Sequence, residues 1–144
     1  MTRTVYLNGD YLPEAEAKVS IFDRGFVMAD AVYEVTSVLN RQVLEFEGHV
    51  ARLTRSLEAL GMKNPMAPAE WLAIHHELIE LNNIDEGLIY LQVSRGNGGD
   101  RDFAYPPEGT PLTVVLFTQA KPGLADNPQA KTGIRVISIP DLRW

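Results

Sequence analysis

The sequence predicts an α/β (α+β) fold. The expected architecture is a small domain with a mainly antiparallel sheet and two helices, followed by the first strand of a second domain. Three observations carry this. Strand-like alternation is punctuated by turn signals at Asn8-Gly9-Asp10 and Asn40-Arg41. Two segments repeat apolar residues at helical spacing. A strongly apolar run, Val114-Val115-Leu116-Phe117, suits a central strand.

Taken in order, residues 5–8 read as a short strand ending in the Asn8-Gly9-Asp10 turn. Residues 11–22 read as its returning strand, until Asp23-Arg24-Gly25 breaks the pattern. Residues 31–39 alternate, with Val32, Glu34, Thr36 and Val38 against Tyr33, Val35, Ser37 and Leu39. Asn40-Arg41 closes a hairpin onto residues 42–46. Residues 47–61 form a helix with Val50, Leu53, Leu57 and Leu60 on one face and Gly61 as its stop. A second helix spans 68–81 with Trp71, Ile74, Leu78 and Leu81. Residues 88–94 are a strand of β-forming residues. The loop 95–109 holds four glycines and two prolines, long enough to carry function. Residues 110–119 form the most apolar strand.

The expected organisation is a small domain over 1–120, a linker over 121–132 and the start of a second domain over 133–144. Pro122, Gly123, Asp126, Asn127 and Pro128 mark the linker. Residues 133–139 then read as a lone strand, which cannot stand as a domain. The expectation is therefore that more chain follows Trp144.

Composition narrows the function classes. Of 144 residues, 45% are hydrophobic and 22% charged, ordinary for a globular chain long enough to bury a core. A formal charge of −6 and the lack of a basic run argue against a nucleic-acid partner. With no cysteine, disulfides, thiolate nucleophiles and cysteine metal sites are excluded. No apolar stretch reaches the roughly 20 residues of a membrane span, so no membrane partner and a cytoplasmic location are expected. No metal site is expected.

Three groups can carry chemistry. In Asp23-Arg24-Gly25 with Asp30, Tyr33 and Glu34, Tyr33 can offer a hydroxyl to a ligand while Val32 packs on the other face. Alternatively, Asp23 and Arg24 cap and pin a turn. His49 and Arg52 lie three apart on the first helix, so they share a face. The Arg52 fork can hold a phosphate, or it can simply be solvated. In the glycine-rich loop, Arg101 can grip a carboxylate through two parallel hydrogen bonds, or pair with Asp100 or Asp102.

In this order, Asp23-Arg24-Gly25, then Tyr33-Glu34-Val35, then His49 through Leu53 with Arg52, then Tyr90 through Gly96, the motifs resemble the class IV aminotransferases. These are the fold type IV pyridoxal phosphate enzymes. The segment Gly98-Gly99-Asp100-Arg101-Asp102-Phe103 with Tyr105-Pro106 looks most like the D-amino acid transaminase branch. The resemblance implies pyridoxal 5′-phosphate as cofactor, a D-amino acid and a 2-oxo acid as substrates, and a homodimer. It implies that Arg52 binds the cofactor phosphate. Tyr33, Val35 and Tyr90 would border the substrate, and Arg101 would take its α-carboxylate.

Three departures from the family pattern stand out. Phe103 occupies a position usually held by histidine, and a phenyl ring cannot donate to a carboxylate. Ala29 and Ala31 replace family glycines around Asp30, which asks for backbone angles that alanine tolerates. None of Lys18, Lys63, Lys121 and Lys131 sits in the family context of the lysine that binds the cofactor. No catalytic residue is therefore expected in this chain; that lysine is expected beyond Trp144, in a missing C-terminal half. Branched-chain aminotransferase and aminodeoxychorismate lyase are alternatives within the family. A non-catalytic binding or dimerisation module is the alternative outside it.

Overall fold

A computed structural model describes residues 2–141. Six strands and four helices follow in the order β1 (Thr4–Leu7), β2 (Asp10–Pro13), α1 (Arg24–Met28), β3 (Ala31–Leu39), β4 (Gln42–Val43), α2 (Phe46–Ala59), α3 (Pro68–Leu81), β5 (Gly87–Ser94), β6 (Thr113–Ala120) and α4 (Pro128–Thr132). The strands form one antiparallel sheet in the order β2-β1-β6-β5-β3-β4. The apolar β6 is central, as its composition predicts.

Both expected hairpins form. Asn8 and Gly9 have φ of 51° and 111°, and Asn40 and Arg41 have φ of 48° and 61°. Two positive-φ residues per turn suit the right-handed twist of the strands they join. The second helix has the predicted bounds. Pro68 starts it, and Glu70 accepts the Ala67 N–H at 2.7 Å.

Strand alternation separates the two faces of the sheet. Val32, Val38, Ile89, Leu91, Val93, Val114 and Leu116 point to the face covered by α2 and α3. There they meet Leu53, Leu57, Trp71, Leu78 and Ile79 in one core. The other face carries a ladder of rings across three strands. Tyr33 stacks on Tyr90 at 5.8 Å, and Tyr90 stacks on Phe117 at 5.0 Å.

Several expectations are corrected. The returning strand is only Asp10–Pro13; Glu16 N–H turns back to the Pro13 carbonyl, and β2 lies at the sheet edge with no further partner among the described residues. The strand after Asn40-Arg41 is two residues long, because Phe46 already begins α2. Asp23-Arg24-Gly25 is not a plain break but opens α1, with Asp23 accepting the Gly25 N–H at 2.8 Å. The linker region contains α4, capped by Asn127, and Glu86 ties it down by accepting from Gly123 and Leu124. Residues 133–139 form no strand. A strand needs a ladder partner, and none is available among the described residues, so Ile134, Val136, Ile137 and Ile139 are exposed. The last part of the expected second domain, 142–144, lies outside the described residues.

Candidate active site

The candidate site grows from the free edge of β3. β4 pairs with β3 only at Val38 and Leu39, so residues 31–36 have no neighbour on that side among the described residues. The alternation of β3 turns Tyr33 and Val35 to the ring-bearing face and Glu34 to the helix side. Tyr33 is 65% exposed and Val35 is also exposed, while Glu34 is 3% exposed. Tyr90, on the neighbouring strand, donates its hydroxyl to Gln92 Oε1 at 2.7 Å. Burial and then the nearby Tyr33 push the Tyr90 hydroxyl above its ordinary pKa.

A carboxylate at a buried strand position needs an opposite charge and hydrogen-bond donors. Glu34 finds both on α2. Arg52 donates Nε to Oε1 at 2.7 Å and Nη2 to Oε2 at 2.6 Å, in a fork-on-fork geometry. His49 Nδ1 lies 2.8 Å from Oε2. Burial works against ionising Glu34. Hydrogen bonds from Arg52 and then His49 outweigh it and hold the carboxyl below its usual range. The Arg52 side chain stays 59% exposed, and its Nη1 has no partner among the described residues. A locked guanidinium with an outward donor is a ready phosphate grip.

The structure thus brings Tyr33, Val35 and Tyr90 together on one face and puts Arg52 at the same strand but on the helix side. Arg101 stands apart from them. Its guanidinium lies 5.0 Å from the Phe103 ring centre, and its Nε makes a long 3.5 Å contact with the Val27 carbonyl. It forms no ion pair with Asp100 or Asp102 among the described residues.

Sequence reasoning missed two things. Glu34 is the acceptor that organises Arg52 and His49; its inward phase on β3 was the available signal. Arg24, Asp30 and Arg95 form a shielded ionic cluster, in which both Arg24 Nε (2.7 Å) and Arg95 Nε (2.8 Å) bond Asp30 Oδ2. The capping role that the sequence offered for Asp23 is borne out: it accepts the Gly25 N–H to cap α1 and also accepts the Thr113 hydroxyl at 2.6 Å. Ala29 adopts φ 55°, ψ 24°, the left-handed region that a family glycine would enter freely.

Residues 31–144 match the family model described as amino-transferase class IV. A D-alanine aminotransferase from Staphylococcus aureus is 29% identical over 140 residues, covering 97% of this chain and 49% of its own length. One from Bacillus licheniformis is 33% identical over 141 residues, covering 97% and 48%. The chain therefore spans about half the length of the curated relatives it matches. Among solved structures, the Escherichia coli branched-chain amino acid aminotransferase superposes with a TM-score of 0.74 at 18% identity, over 84% of this chain and 42% of that one. The branched-chain aminotransferase of the archaeon Thermoproteus uzoniensis, with norvaline, gives 0.71 at 20%, over 83% and 41%. These structural likenesses speak for the fold alone. No helix among the described residues is long and apolar enough to cross a membrane.

Proposed function

The chain belongs to the class IV aminotransferase family, and from that premise we propose that it forms the small domain of a transaminase that moves an amino group from a D-amino acid such as D-alanine to a 2-oxo acid. The family uses pyridoxal phosphate. The observation that carries the reading is Arg52, pinned by Glu34 on one side and open at Nη1 on the other. That geometry fits a phosphate monoester. The D-amino acid part rests on Arg101 and on relatives named D-alanine aminotransferase that match nearly the whole chain.

In this reading Arg52 binds the cofactor phosphate, and Glu34 with His49 orients it. Tyr33, Val35 and Tyr90 wall the substrate, and Arg101 takes the α-carboxylate. When bound, the cofactor supplies the electron sink for the carbanion formed at the substrate α-carbon. The lysine that would hold it covalently is not among the four here. Lys63, Lys18 and Lys121 line clefts beside Tyr105, Asp23 and Arg3, and Lys131 lies in α4. The proposal therefore assigns the lysine to a C-terminal half, with 1–120 as the small domain, 121–132 as the connection and 133–144 as the beginning of the cofactor-binding domain. It also assigns a homodimer, so that Arg101 serves a neighbouring site.

The test uses the complete product of the coding sequence, loaded with pyridoxal phosphate. It should show the cofactor's visible absorption and transfer amino groups from D-alanine to 2-oxoglutarate. Turnover of branched-chain L-amino acids with none of D-alanine would overturn the D-specific reading. No cofactor binding at all would favour a non-catalytic module.

A further inference from the structure

We propose that Arg24, seated on Asp30, is a positioning residue that sets the loop carrying Arg101 and hence the carboxylate grip. The inference rests on the functional reading above. The Arg24 side chain is 9% exposed and that of Asp30 11%. Arg24 holds the loop at two places. Its backbone N–H donates to the Gly96 carbonyl at 2.9 Å, where the loop leaves β5. Its Nη1 donates to the carbonyls of Asp102 at 2.9 Å and Ala104 at 3.1 Å, which bracket Phe103. Arg101 precedes the first of these anchors and lies on the bracketed ring.

Arg95 completes the clamp from β5's end. It bonds the same Asp30 oxygen, donates Nη2 to the Leu60 carbonyl at 2.6 Å, and lies under the Tyr105 ring at 4.6 Å. Two guanidiniums thus share one carboxylate oxygen in a shielded place, their excess charge met by three backbone carbonyls. Such a cluster is weak evidence for stability, because desolvation offsets much of the attraction. What it fixes tightly is geometry. Four guanidinium-to-loop or guanidinium-to-Asp30 hydrogen bonds and one ring contact define where residues 102–105 lie. Residues 101–105 are all exposed, and Arg101, Phe103 and Tyr105 are the long side chains this base presents.

The substitution Arg24→Lys separates positioning from charge. Lysine keeps the positive charge beside Asp30, but its single ammonium cannot span Asp30 and two carbonyls. In the complete, cofactor-loaded enzyme, kcat/KM for D-alanine should fall about tenfold, mainly through KM. In an Arg101→Ala background the same change should matter less than about twofold, because the group being positioned is gone. Amide hydrogen exchange should quicken over 101–105 and stay unchanged in β3 and β5. Equal losses in both backgrounds, or unaltered loop exchange, would overturn the proposal. Should Arg24→Lys fail to fold, Tyr105→Leu removes only the exposed ring over Arg95 and should give the same pattern more weakly; a normal KM and normal loop exchange there would overturn it. If the unaltered enzyme transfers no amino group from any amino acid, the functional reading fails instead. Loop exchange then decides the clamp by itself, with unchanged protection as the refuting result.

Discussion

His75 makes the stability of this fold depend on pH, and the size of the effect can be worked out. The ring is 2% exposed, its Nδ1 lies 2.7 Å from the Trp71 carbonyl, and it meets the Phe46 ring edge-on at 5.4 Å. Burial is the main cause pushing its pKa from 6.5 to about 4; the Trp71 carbonyl opposes this, while His76 and His49 add to it. Between those values the folded chain keeps the ring neutral while the unfolded chain protonates it. The unfolded state then binds more protons, so stability is full above the unfolded value and declines as pH falls. At about 1.4 kcal/mol per pH unit, the whole effect is about 3 kcal/mol, and about 2 of that is lost by roughly pH 5. Asp30 and Glu34, both held low, act in the same direction only as pH falls into and below the ordinary carboxylate range, and so add little in this window. Urea denaturation of the chain and of His75→Asn, from about pH 7.5 to about pH 5, measures it. The unaltered chain should lose about 2 kcal/mol across the range and the variant less than about 0.5. Equal slopes, or a His75 ring that titrates near 6.5 by NMR, would refute the reasoning.

Ala29→Gly should stabilise the fold by about 1 kcal/mol, because Ala29 sits at φ 55° without a glycine's freedom; urea denaturation reads the gain. Gly25→Ala should cost about 2 kcal/mol by the same assay, since an added Cβ would meet Ser94 Cβ at 2.8 Å under α1. Thr118→Val should be neutral or stabilising by up to about 1 kcal/mol, because the Thr118 hydroxyl is buried without a partner among the described residues; a clear loss in a thermal melt would contradict this. In the complete enzyme, Glu34→Gln should weaken pyridoxal phosphate binding about tenfold in a spectroscopic titration, as the charge-assisted hold on Arg52 is lost.

The elements that were legible in the sequence are those with a long, regular period. Ala31–Leu39 and Pro68–Leu81 emerge with the bounds read from alternation and from the Trp71, Ile74, Leu78 stripe. α1 was not legible: at five residues it has no period to detect, and its glycine resembles a break until Ser94 is found packed against it. Residues 133–139 misled in the opposite way, since their β-forming composition holds no information about whether a neighbouring strand exists. At the site, His49 and Arg52 were legible as a pair because helical spacing alone puts them on one face. Their convergence on Glu34 was not, because it depends on how α2 lies across β3. The Arg24, Asp30 and Arg95 cluster joins residues 65 apart across the sheet, a contact that no local pattern encodes.

The alternation of β3 also constrains what a ligand can do here. Glu34 draws Arg52 to the helix side, while Tyr33 and Val35 face the ring ladder. A ligand confined to either face would meet only one of these sets. A ligand that meets both has to cross the β3 edge, and β4 leaves that edge open by stopping at Val38. The short β4 is therefore a functional feature in the proposed reading: one more pair of residues in that hairpin would begin to close the passage between the phosphate grip and the substrate wall. Among the described residues, none of Arg101's hydrogen bonds or ring contacts reaches Tyr33, Val35 or Arg52. In the proposed reading a homodimer would bring Arg101 to a neighbouring site, and the Arg24 clamp would fix the loop that carries it.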